Sequence, residues 1–186
     1  MVLSNKEIEK AIKNGLIVID PLDEDVLEKA DTTSINLRLG KTINIPKQNL
    51  SINFDLSIGK ITQTLSEVYT EEKIPDTGYI LEPGRFILSH THEYIELNFT
   101  KEKAYAARVE GKSSFARCGL LVHFTAPTIH AGFAGTITLE LINLGKYPII
   151  LKPLMPICQL IFETVEGEIE FKKSQFHGQR SGAGNI

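Results

Sequence analysis

The chain has 186 residues, 42% hydrophobic and 23% charged, with a formal net charge of -3. That length suits a single domain with a real core, and the composition is that of an ordinary soluble globular protein. The acidic balance argues against a dedicated nucleic-acid binder, and no apolar run approaches the about 18 residues that cross a bilayer.

The opening MVLSNKEIEKAIKNG is charged and amphipathic, unlike a signal peptide. Ser4 and Glu7 have capping-box spacing, and Ile8, Ile12 and Leu16 follow at near-helical intervals. A helix is predicted over residues 5–14, with Gly15 as its stop. Residues 21–29 are a candidate for a second one. From Ser34 the texture changes to short apolar stretches between polar or Gly/Pro breaks: SINLRLG, KTINIP, GYILEPGRFILSHTHEYIEL, AYAARVEG, GLLVHFTAP, GTITLELINLG, YPIILKP and ICQLIFETVEG. Strands at roughly 8–12-residue spacing predict an antiparallel sandwich or barrel. No linker divides the chain. Residues 60–78 are polar and read as a long hairpin or loop. The Gly-rich tail from Phe176 has no periodicity and reads as disordered, or as ordered only by a ligand or a neighbouring subunit. Cys118 and Cys158 are far apart and read as reduced thiols of a cytoplasmic protein.

Two stretches carry chemistry. In RVEGKSSFARCG, a strand runs into Lys112, then Ser113, Ser114 and a short helical run containing Arg117. Two cations and two hydroxyls with free backbone N–H groups can converge on a polyanion. A serine-capped turn with two solvated basic side chains is the plainer alternative. In TITLELIN, alternation puts Ile137, Leu139 and Leu141 on one face and Thr136, Thr138 and Glu140 on the other. A carboxylate there is either on a solvated face or in a pocket suited to proton transfer.

Together these stretches, EGKSSFARCGLLVHFTAPTIHAGFAGTITLELINLG, resemble the signature region of dCTP deaminases, which share fold and ancestry with trimeric dUTPases. SINLRLG resembles the family's N-terminal element, with Asn36 where Asp is usual. PLMPICQLIFE resembles the strand after the catalytic segment, and SQFHGQ the C-terminal closing piece. The resemblance implies a mainly β, dUTPase-like distorted barrel or jelly roll, with a short N-terminal helix and one short helix at the phosphate site. It implies one domain over residues 1–186, closed by a tail over 171–186.

By the same resemblance Lys112, Ser113, Ser114 and Arg117 would bind the triphosphate, with Phe115 and Ala116 completing the turn. Ser113, Arg117 and the Ala126 carbonyl would frame the catalytic water. Glu140 would be the general acid/base, Thr138 and Leu139 would offer backbone groups to the pyrimidine, and His130 would face the sugar. Gln159, Phe171, Gln175 and Gln179 would close over the nucleotide. Phe171 stands where Tyr is common, and Gln175 where Lys is. The implied reaction is dCTP to dUTP and ammonia, with Mg2+ arriving on the triphosphate. A homotrimer with shared sites and inhibition by dTTP are family traits.

Zinc deaminases use an H-x-E…P-C-x-x-C pattern, which is absent here. His90 and His92 would share one strand face but lack a third local ligand, so no metal site is predicted. His130 replaces an Asp that in dUTPase-type chemistry activates water at the α-phosphate. Either its imbidazole is a base there, or only its backbone serves the sugar; the latter favours deamination without cleavage of the triphosphate. The alternative is a dUTP diphosphatase, or a bifunctional enzyme yielding dUMP and pyrophosphate.

Overall fold

In the computed structural model of the chain, residues 1–23, 26–27, 30–58, 61–172, 174 and 176–183 are described. Ser4 caps α1 (Asn5–Lys13) by accepting the Glu7 N–H at 3.3 Å, and Ile8 and Ala11 are its buried side. The chain reverses at Gly15, whose φ of 68° lies in the left-handed region that glycine adopts without strain. In the second candidate helix, Val26 and Leu27 are helical, while positions 24, 25, 28 and 29 lie outside the described residues.

Eleven described strands follow: β1 (Ile17–Asp20), β2 (Ile35–Pro46), β3 (Tyr69–Lys73), β4 (Tyr79–Leu81), β5 (Phe86–Leu97), β6 (Ala104–Gly111), β7 (Leu120–Leu121), β8 (Thr128–Ile129), β9 (Ala134–Asn143), β10 (Ile149–Leu151) and β11 (Pro156–Val165). The main sheet runs β7-β9-β5-β2-β11-β6-β8, with β1 on β5 and β3 on β2; β4 and β10 form a separate pair. Its two ends, β7 and β8, are consecutive in sequence. Residues 122–127 therefore join the ends of the path. Register shifts within the β2–β5, β5–β9 and β2–β11 pairings accompany this curl, as bulges bend and twist strands.

The predicted alternation on β9 holds. Ile137, Leu139 and Leu141 are buried, while Thr138 and Glu140 are half-buried on the opposite face. Burial stabilises each of the three apolar side chains by roughly 1.5–3 kcal/mol. A one-residue slip would expose all three and drive Glu140 into the core, so the register is firmly set.

Three sequence expectations change. SINLRLG and KTINIP form one strand, β2, rather than two. Gly40 continues that strand because the His90 ring lies where a side chain would be, 2.6 Å from an ideal Cβ. Residues 60–78 hold α2 (Thr62–Val68) and β3, not simply a loop. Their polarity reflects position: among the described residues β3 pairs only with β2, and four of its five residues are exposed. The described tail, instead of awaiting a ligand or neighbour, lies against its own chain. Gly178 N–H donates to Ala134 O at 2.6 Å and Thr136 N–H to Gln179 O at 2.8 Å. Arg180 stacks 4.6 Å from the Tyr94 ring centroid, and Ser181 donates to Glu71.

Candidate active site

The segment joining β7 to β8 crosses the polar face of β9, and this brings Glu140 its partner. Phe124 N–H donates to Glu140 Oε2 at 3.0 Å. On its far side the segment is fixed to β6, where Val109 N–H donates to Pro127 O at 2.9 Å. The Phe124 ring meets Phe86 edge-on at 5.6 Å. The carboxylate is thus held from the backbone and kept on the open side of the strand.

Glu140 lines a cavity of about 1330 Å³ together with Ala126, His130, Thr138, Phe171 and Gln179. Six of the residues singled out from the sequence therefore share one space. His130 is exposed in the turn between β8 and β9, its carbonyl accepting Phe133 N–H at 3.1 Å. Phe171 packs against Phe99, and its ring fills the place a Cβ at Gly132 would take. The Gln179 amide donates to Thr136 O at 2.9 Å and to Thr138 Oγ1 at 3.2 Å, so the tail is hydrogen-bonded to the strand that carries Glu140. Leu139 has its side chain in the core, leaving only backbone groups for any contact.

The residues that the resemblance assigns to the triphosphate lie elsewhere. α3 (Ser113–Ala116) starts at Lys112, whose backbone is extended and whose carbonyl accepts Phe115 and Ala116 N–H. Ser113, Ser114, Ala116 and Arg117 are exposed, and Phe115 packs partly on the core. Gly119, at φ 92°, ends the turn, and a Cβ on it would strike the Gly145 backbone. None of residues 112–117 lines the cavity that holds Glu140. Their neighbour is Gln159: on β11 it is opposite Glu110 of β6 and Asn36 of β2. Ser34 Oγ donates to Gln159 Oε1 at 3.3 Å, and Lys112 Nζ donates to Asn36 Oδ1. The carboxylate and the turn bearing the half-buried Lys112 and the exposed Ser113, Ser114 and Arg117 thus stand apart within one chain. Gln175 lies outside the described residues.

His123 lines the carboxylate cavity and was not singled out from the sequence. Its Nδ1 is buried without a hydrogen-bond partner among the described residues. Its place one residue before Phe124 was the only available signal, and it becomes informative only once the crossing over β9 is known. His90 contacts Thr42 Oγ1 at 3.2 Å, and burial pushes the His92 imidazole below its ordinary value. Among the described residues no group of three or more His, Cys, Asp or Glu is placed to hold a metal.

The two thiols differ in environment. Burial pushes Cys158 up to about 12, whereas Cys118 is exposed. Since the thiolate is the nucleophile, iodoacetamide at mildly alkaline pH is expected to alkylate Cys118 and spare Cys158 in the folded protein. Peptide mapping checks this, and early labelling of Cys158 would contradict its burial.

Comparison with known proteins identifies the family and the fold. The family pattern described as dCTP deaminase-like matches residues 2–165. A protein of Methanothermobacter thermautotrophicus named "dCTP deaminase, dUMP-forming" is 38% identical over 91% of this chain and 82% of its own length. One of the same name from Dictyoglomus thermophilum is 35% identical over 97% of this chain and 91% of its own. The crystal structure of 2'-deoxycytidine 5'-triphosphate deaminase from Agrobacterium tumefaciens superposes with a TM-score of 0.64 at 21% identity, over 87% of this chain and 46% of that one, a likeness of fold. No helix among the described residues is long and apolar enough to cross a membrane. With the curled, mainly β sheet and the family pattern running from Val2 to the end of β11, the chain belongs to the dCTP deaminase family.

Proposed function

We propose that the protein deaminates dCTP hydrolytically, with Glu140 as the single proton-transfer group. The observation that carries this reading is the Glu140 carboxylate, anchored by Phe124 N–H in a cavity shared with Ala126 and Thr138. Glu140 takes a proton from water as the oxygen adds to C4, and gives that proton to N3. It then takes the proton of the new hydroxyl and gives it to the amine, which leaves as ammonia while the C4 carbonyl forms. Water is consumed, dUTP and ammonia are released, and Glu140 ends as it began. Thr138 and Leu139 offer backbone groups to the base edge, and the Ala126 carbonyl orients the water.

The triphosphate, arriving with Mg2+ as part of the substrate, is held by Lys112, Ser113, Ser114 and Arg117, with Gln159 closing over the nucleotide beside them. Within one chain these residues stand outside the Glu140 cavity. A homotrimer in which one copy's turn faces another copy's carboxylate reunites them, and closed symmetric rings are a common way to build such shared sites. Phe171, Gln175 and Gln179 close over the nucleotide, and dTTP competes as an inhibitor.

A second reading, in which dUTP is cleaved further to dUMP and pyrophosphate, is favoured by the names of the two relatives. His130 stands against it, because an imidazole replaces the carboxylate that would activate the attacking water. Incubation with dCTP is expected to release ammonia and accumulate dUTP, and dUTP alone is expected to remain intact. Pyrophosphate from either nucleotide would establish the second reading. Absence of ammonia from dCTP would overturn the first.

A further inference from the structure

The polar side chains of SINLRLG lie beside the turn assigned to the triphosphate. Asn36 and Arg38 alternate on β2 with the buried Ile35, Leu37 and Leu39 and so share one face, and Ser34 immediately precedes the strand. Each reaches a different neighbouring element. Ser34 donates to Gln159 on β11, and Asn36 accepts from Lys112 at the start of α3. Arg38 Nε donates to the fully buried Glu93 on β5 at 2.5 Å, while its Nη1 pairs with Asp23 at 2.7 Å. Arg38 N–H also donates to Glu93 at 2.8 Å. These bonds fix β2 from both sides, which makes Asn36 a rigid point of attachment.

We propose that Asn36 is a positioning residue of the turn assigned to the triphosphate, setting the direction of the Lys112 ammonium toward the substrate's triphosphate. The inference rests on the assignment of Lys112 to phosphate binding. A lysine side chain has many rotamers to lose, so an ammonium already held in place binds an anion with less ordering cost. The chemistry of the holder matters equally. An amide oxygen accepts a hydrogen bond from the ammonium without contributing a negative charge, so the cation is oriented but not neutralised. The remaining ammonium hydrogens are left for phosphate oxygens. Ser34, just before the strand, likewise holds Gln159, a residue assigned to closing over the nucleotide.

The test is a double-mutant cycle in the full-length Glu140→Gln protein, where dCTP affinity is measured by calorimetry without turnover. Asn36→Ala is expected to weaken dCTP binding roughly 5-fold and Lys112→Ala roughly 10-fold or more, with the pair no weaker than Lys112→Ala alone. Each variant's thermal midpoint is recorded, so a loss of folding is visible as such. Independent, multiplying effects of the two substitutions would overturn the positioning role, as would unchanged affinity in Asn36→Ala. Unchanged affinity in Lys112→Ala would overturn the inference together with the phosphate assignment beneath it. Coupled effects on binding in a protein whose unsubstituted form releases no ammonia from dCTP would sustain the inference while sinking the deaminase reading.

Discussion

Glu140→Gln is expected to lower kcat for dCTP deamination by roughly 10⁴-fold, the upper end of what general acid–base catalysis contributes, because in the proposed mechanism one carboxylate performs every transfer. The amide keeps the shape of the side chain, and its oxygen can still accept the Phe124 N–H that now anchors the carboxylate. Fold and triphosphate affinity are therefore expected to survive, with Kd for dCTP within a few-fold of the unsubstituted protein. Stopped assays for ammonia and calorimetry for dCTP separate the two quantities. A variant that retains a tenth of the activity would show that Glu140 does not carry the protons. A variant that loses binding as steeply as turnover would place the carboxylate in recognition rather than chemistry.

The second large effect concerns the separation of the turn from the carboxylate. Arg117→Ala is expected to disable the turn assigned to the triphosphate, and Glu140→Gln the proposed proton carrier; on one chain these positions do not face a common cavity. Each variant alone is expected to be nearly inactive. When the two are unfolded together and refolded as a mixture, random assembly pairs an intact turn with an intact carboxylate in about a quarter of shared sites. Activity is expected to return to about that fraction. Mixing without unfolding is expected to restore it only as fast as subunits exchange. No recovery after verified co-assembly would mean that each site is built from a single chain, and the proposed use of residues 112–117 would need a rearrangement within the subunit.

Much of this architecture is legible in the sequence, for physical reasons that differ from element to element. The two-residue period of TITLELIN places Glu140 opposite a row of buried Ile and Leu, because the pleat alone fixes the face of each side chain. The Ser4 cap and the Gly15 stop likewise read directly onto α1. Period does not reveal which strands meet. Nothing in RVEGKSSFARCG shows that β6 delivers this turn away from Glu140; that follows only from the sheet order. The role of Phe124 is equally hidden, since its backbone N–H, not its ring, holds the carboxylate. The tail is obscure for the same reason. Its attachment to β9 uses main-chain groups and one amide, which leave no hydrophobic pattern. β3 escapes because an exposed edge strand with the sequence YTEEK has no apolar alternation to display.

The most direct test of the account is a crystal structure of the Glu140→Gln protein with dCTP and Mg2+. The expected result places the side-chain amide of residue 140 within hydrogen-bonding reach of N3 and of a water facing C4, with the triphosphate on Ser113, Ser114 and Arg117 of a neighbouring copy. A cytosine ring bound away from β9, or a transition metal standing at C4, would contradict it.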